Sequence, residues 1–169
     1  MKTDVLNPSF LQELDLFISQ HYAEDYSVKT KGLFSDPNEK TNKEIQKFTN
    51  DNKKSFMETL NEMLVKYNES KKVKLDDVTL YKKANISRQT YHKLLEKDRP
   101  SKDTAVMYSL ALELCEKDME KLLASAGYSL ATNSKRDLIF RFCFINKIYD
   151  YTIVCDILKT KNEKLFKNF

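Results

Sequence analysis

The chain has little of what breaks a helix. Its 169 residues include two glycines, Gly32 and Gly127, and three prolines. Helix interiors tolerate neither residue well, so long stretches are free to be helical. The two glycines stand far apart, so no Gly-rich loop can cradle a phosphate. Tryptophan is absent, and the only histidines are His21 and His92. Neither has Ser, Cys or Asp arranged around it as a triad requires. His21 lies on an apolar stripe and reads as a packed residue. Cys115, Cys143 and Cys155 are widely spaced and form no CxxC pair. Reduced, buried thiols are expected, with no zinc site and no disulfide framework. Carboxylates are many but scattered among lysines, as on solvated helix faces. No catalytic residue, metal ligand or cofactor is assigned, and the chain is read as a non-enzyme.

Long apolar runs are missing too. The most apolar stretch, Leu138 to Ile148, contains Arg141 and Lys147. It falls short of the roughly 18–20 residues that a membrane span needs. The opening MKTDVLNPSF has no apolar segment of the kind a cleavable signal carries. No membrane association is expected, and a cytoplasmic setting is.

What the chain does have is a series of helix starts. Asn7, Ser55, Asp76, Ser87, Ser101, Ser134 and Asp150 each precede an apolar run, as capping residues do. Asn7 is followed by Pro8, which suits the first helical position. Phe10, Leu11, Leu14, Phe17 and Ile18 then recur at helical spacing over about 8–23. Residues 23–40 hold Gly32 and Pro37 and read as a loop. Thr41 and Glu44 form a capping box before a short polar helix with Ile45 and Phe48. Residues 1–54 carry eight basic and nine acidic side chains, so they are no basic arm.

Ser55 and Glu58 form a second capping box. Phe56, Leu60, Met63, Leu64 and Tyr67 give a helix over about 55–68, and a lysine-rich loop follows. From Asp76 to Leu114 three short helices are predicted, with sharp connections. The first carries Val78, Leu80, Tyr81 and Ala84. Asn85 tolerates the left-handed conformation at a helix exit, and Ile86 plugs the turn. The second helix, about 87–97, turns Tyr91, Leu94 and Leu95 inward. The third buries Ala105, Val106, Leu110, Ala111 and Leu114. Met119, Leu122, Leu123 and Ala126 mark a further helix that Gly127 ends. The helix after Ser134 is apolar nearly all round, with Phe140, Phe142, Phe144 and Ile145, so it must be buried on several sides. Ile153, Val154, Ile157 and Leu158 give the last helix, with Leu165, Phe166 and Phe169 beyond it. The expected class is all-α, with seven to nine helices.

Charge singles out one window. Between Val78 and Lys102 there are seven basic residues and two acidic ones, net +5, while the whole chain carries +4. Two helices joined by a tight turn, bearing concentrated positive charge, read as a phosphate-facing surface. The stretch also resembles a known family. Leu80, the turn Asn85-Ile86-Ser87, the helix Arg88-Gln89-Thr90-Tyr91-His92-Lys93-Leu94, Pro100-Ser101 and Thr104 through Leu114 match the phage-repressor-like (Cro- and Xre-type) helix-turn-helix proteins. Leu122-Leu123 and Ala126-Gly127-Tyr128 look like a bacterial subgroup of this type, and the likeness covers about 55–139. Two positions depart from the pattern. Tyr81 stands where the family usually has a small residue, and Asp77 where many members have a Gln touching the DNA backbone.

The resemblance implies a five-helix repressor-like domain at 55–130. An N-terminal helical extension and linker would occupy 1–54. C-terminal helices at 131–169 would pack on the core or form a dimer contact. The function read from these features is a sequence-specific double-stranded DNA-binding transcriptional regulator. Arg88, Gln89, Thr90, His92 and Lys93 would meet base edges in the major groove. Lys82, Lys83, Ser87, Lys97, Arg99 and Lys102 would hold phosphates. The other reading is a protein-interaction module on the same fold, antitoxin-like or a defence-system adaptor. A homodimer is expected, joined through the apolar helix at 134–148, because two half-sites need two reading helices.

Overall fold

The computed structural model describes residues 6–22, 54–97 and 99–167. Among these residues the chain is all-helical, with eight helices and no strand. They are α1 (Pro8–His21), α2 (Phe56–Lys71), α3 (Asp77–Lys83), α4 (Arg88–Lys97), α5 (Lys102–Ala111), α6 (Glu116–Ser125), α7 (Lys135–Ile145) and α8 (Tyr151–Thr160). The loop expected at 23–40 and the short helix after Thr41 lie outside the described residues.

All seven expected caps are in place. Asn7 accepts from the Phe10 amide at 2.8 Å, and Asp76 from Thr79 at 2.7 Å. Ser55 and Glu58 exchange two hydrogen bonds, at 3.2 and 2.8 Å, as a capping box. Ser87, Ser101 and Ser134 accept from the amides of Thr90, Thr104 and Asp137. Asp150 accepts from both Thr152 and Ile153. Only α6 begins without a side-chain cap, at Cys115.

With so little glycine, the helix exits use other residues. Asn85 is left-handed at φ 55°, and so are Lys72, Glu113, Lys147 and Asn162. Such a conformation costs a residue with a Cβ about 1–2 kcal/mol. Each exit is held by an amide reaching back five residues, as in Ile86 N to Tyr81 O at 2.9 Å and Ile148 N to Cys143 O at 2.8 Å. The residue after the turn is often apolar and folds down on the helix it has left.

The core is continuous. In α5 every side chain from Thr104 to Ala111 is buried. α3 and α6 pack against α5, and α2 packs against α6. On the other side α6 meets α7, which lies between α1 and α8. Cys143 is buried, and burial pushes its thiol up to about 12. Cys115 is exposed, contrary to expectation, because it sits at the outward start of α6.

The apolar helix is covered within the chain. Leu138, Ile139, Phe140, Phe142, Cys143 and Phe144 are all buried. Phe10 and Phe17 of α1 meet Phe142 edge-on, with ring centroids 5.5 and 5.3 Å away. Phe166 stacks on Phe140 at 5.4 Å. Only Ile145 stays largely exposed. The face from which a homodimer was expected is therefore used inside one chain.

One polar atom in the core is unsatisfied. The Tyr108 hydroxyl is buried without a hydrogen-bond partner among the described residues. Burial raises its pKa above the ordinary tyrosine value. An unpaired buried hydroxyl costs about 1–3 kcal/mol. Tyr108→Phe is expected to keep or raise stability, and urea unfolding followed by circular dichroism measures it.

Candidate nucleic-acid interface

The candidate surface is built by α3, α4 and the connection into α5. Residues 84–87 join α3 to α4. Asn85 makes the turn, and its amide donates to Lys82 O at 3.0 Å. Ile86 is buried beneath it. The Ser87 hydroxyl caps α4 and pairs with the Thr90 hydroxyl at 2.9 Å. These contacts fix where α4 starts and hold Thr90 half-buried.

α4 is anchored on one side only. Leu94 is its one fully buried residue. Tyr91 is half-buried and stacks on Tyr81 of α3, centroids 4.7 Å apart and planes 25° off parallel. A stacked aromatic pair thus stands between the helices where the resemblance expected a small residue. Burial first, then the negative charge of nearby Asp77, raises the Tyr91 pKa. Asp77 itself is exposed. Leu95, expected to point inward, is 50% exposed. It follows Leu94 by one residue, about 100° round the helix, and the underlying core does not extend that far.

The opposite face of α4 is polar and open. Arg88, Gln89, His92 and Lys93 are exposed. Arg88 Nε donates to His92 Nε2 at 3.2 Å, one helical turn along. Lys97 and the following Arg99 are exposed too. A cleft of about 250 Å³ opens beside them, lined by Lys93, Lys97, Arg99, Ser101 and Thr104. It lies at the N-terminus of α5, where backbone amides add partial positive charge.

The expected phosphate-holding cations divide into two groups. Lys82, Lys97 and Arg99 form no ion pair with a described residue, and neither do Arg88 and Lys93, expected at the bases. Lys83 and Lys102 are engaged. Lys83 donates to the Tyr67 hydroxyl at 2.8 Å and lies 3.4 Å from Glu113, which also holds Lys71 at 2.7 Å. The two lysines keep the Glu113 carboxyl below its ordinary pKa, through the Lys71 hydrogen bond first. Lys102 pairs with Asp137, on α7. Neither partner was legible in the sequence, since Glu113 and Asp137 lie 30 and 35 positions away.

Comparison with protein-family models, curated proteins and solved structures finds no match. The reading therefore rests on this geometry. Among the described residues no three His, Cys, Asp or Glu side chains gather as a metal site. None of the described helices is long and apolar enough to cross a membrane. A cavity of about 370 Å³ lies between the end of α3 and the start of α8, with no α4 residue in its lining.

The Tyr81–Tyr91 stack is the joint on which α4 rests. Tyr81→Ala removes a ring that is 8% exposed. A loss of about 3 kcal/mol is expected, in the range of large aromatic deletions from cores. Chemical denaturation of the variant checks it.

Proposed function

We propose that the chain is a sequence-specific double-stranded DNA-binding regulator, with α3 and α4 as a helix-turn-helix and α4 in the major groove. The carrying observation is the open face of α4, with Arg88, Gln89, His92 and Lys93 exposed, and with Lys82, Lys97 and Arg99 beside it in no ion pair with a described residue. Arg pairs with guanine through two hydrogen bonds, and Gln pairs with adenine in the same way. Lys82, Lys97 and Arg99 set the register on phosphates, assisted by the α5 N-terminus. Ser87 and Thr90 shape the start of α4, and base reading falls to its exposed side chains. Two chains on half-sites about one helical turn apart would lengthen the sequence read. Their contact would have to use a surface other than the buried side chains of α7.

A second reading has its own support. Leu95 and Val78 are 50% and 46% exposed on α4 and α3. Apolar side chains on these helices suit a protein-interaction module, antitoxin-like or a defence-system adaptor.

Selection of bound sequences from random duplex DNA by the purified chain decides between the two. Enrichment of a motif supports the regulator, and none at low salt transfers the assignment to the interaction module. Neutralising about four phosphates per chain gives a slope of log K against log salt of roughly −3.6, doubled for a pair of chains. Titrations at several salt concentrations measure it. Arg88→Ala and Gln89→Ala are each expected to cost about 1–3 kcal/mol of discrimination between sites. Lys97→Ala should instead weaken all sites alike, and binding to a panel of duplexes separates the two behaviours.

A further inference from the structure

Lys102 and Asp103 open α5, while Arg136 and Asp137 lie in the first turn of α7. The two dipeptides pair crosswise. Lys102 Nζ meets Asp137 Oδ2, and Arg136 holds Asp103 through two hydrogen bonds, at 2.7 and 3.1 Å. The α7 side of this quartet is built in firmly. Asp137 Oδ2 also accepts from the Ala131 amide at 2.8 Å, and the Asp137 amide donates to Ser134 at 3.3 Å. Arg136 Nε donates to Lys164 O at 2.7 Å, and the guanidinium lies over the Phe140 and Phe166 rings.

Lys102 directly follows Ser101, which lines the basic cleft beside Lys93, Lys97 and Arg99. Lys102 itself does not line the cleft but stands one residue from its edge. It is held instead by a carboxylate whose side chain is 7% exposed, against 25% for Lys102 itself. A phosphate oxygen and a carboxylate oxygen make the same demand on an ammonium: one short, charge-assisted hydrogen bond.

We infer that Asp137 is an internal competitor for nucleic-acid phosphate. It occupies Lys102 from α7 and so lowers the number of phosphates the α4–α5 surface holds. This rests on the duplex-binding reading of α4. The C-terminal helices then set the affinity of a surface they do not belong to. A movement of the first turn of α7 away from α5 frees one further positive charge beside the cleft. Sequence preference, carried by α4, does not change.

Asp137→Asn tests this. The amide oxygen can still accept from the Ala131 amide, while the charge on Lys102 is freed. Affinity for duplexes of any sequence should rise about eightfold at 0.1 M salt, the effect of one added phosphate at a slope of −0.9. The salt slope should steepen by about 0.9. Adding Lys102→Gln should abolish the gain. A folded Asp137→Asn chain that binds as the parent does, or more weakly, overturns the proposal. Reductive methylation of the unaltered chain gives an answer that needs no variant to fold. Lys102 should react more slowly than Lys97, and duplex should protect Lys97 but leave the rate at Lys102 unchanged. Protection of Lys102 by duplex overturns the competitor role and leaves the reading of α4 standing. An unaltered chain that ignores duplex at low salt removes that reading, and this inference with it.

Discussion

The burial of α5 from Thr104 to Ala111 is the constraint from which the rest follows. Eight consecutive residues, Thr104 to Ala111, are closed off from water. A helix buried all round must be covered on every side, and here short helices share the work. α3 and α6 lie against it, and α6 connects this half to α7, α1 and α8. α4 is left at the margin, held by Leu94 and the Tyr81–Tyr91 stack. A helix fastened along one narrow edge presents the rest of its surface to solvent. The same packing that closes the core therefore exposes Arg88, Gln89, His92 and Lys93 together.

Charge is arranged by the same geometry. Among the described residues, the cations of the α4 face and its flanks form no ion pair, while Lys71, Lys83 and Lys102 are paired. Glu113 answers Lys71 and Lys83, Asp137 answers Lys102, and Asp103 answers Arg136. Half-buried pairs of this kind are screened less than surface pairs, and breaking one leaves a charge poorly solvated. The net charge of the window at 78–102 therefore overstates what is available to a polyanion. Two of its seven cations face carboxylates contributed from outside it.

Helix starts were legible because a cap is local. Asn7, Ser55, Asp76, Ser87, Ser101, Ser134 and Asp150 each act within three residues, and short-range hydrogen bonds do not depend on the fold. The turn at Asn85 was legible for the same reason. Errors arose where a residue's surroundings come from elsewhere in the chain. Leu95 is apolar like a core residue, yet it stays 50% exposed among the described residues. Cys115 was expected to be buried and sits exposed at a helix start. The all-round apolar character of α7 announced burial correctly but left open whether the core or a second copy would provide it; α1, α8 and Phe166 lie against it within the chain.

The sequence by itself determined the all-helical class, the positions of the helices, the identity of α5 and α7 as interior elements, and the basic character of the segment around α4. Periodicity, capping and composition are properties of neighbouring residues. Tertiary structure alone decided which cations are paired with carboxylates from outside the basic segment, and that Tyr81 and Tyr91 stack between α3 and α4. These depend on side chains brought together from distant positions, and long-range pairing follows from the packing of whole helices, which local pattern does not encode.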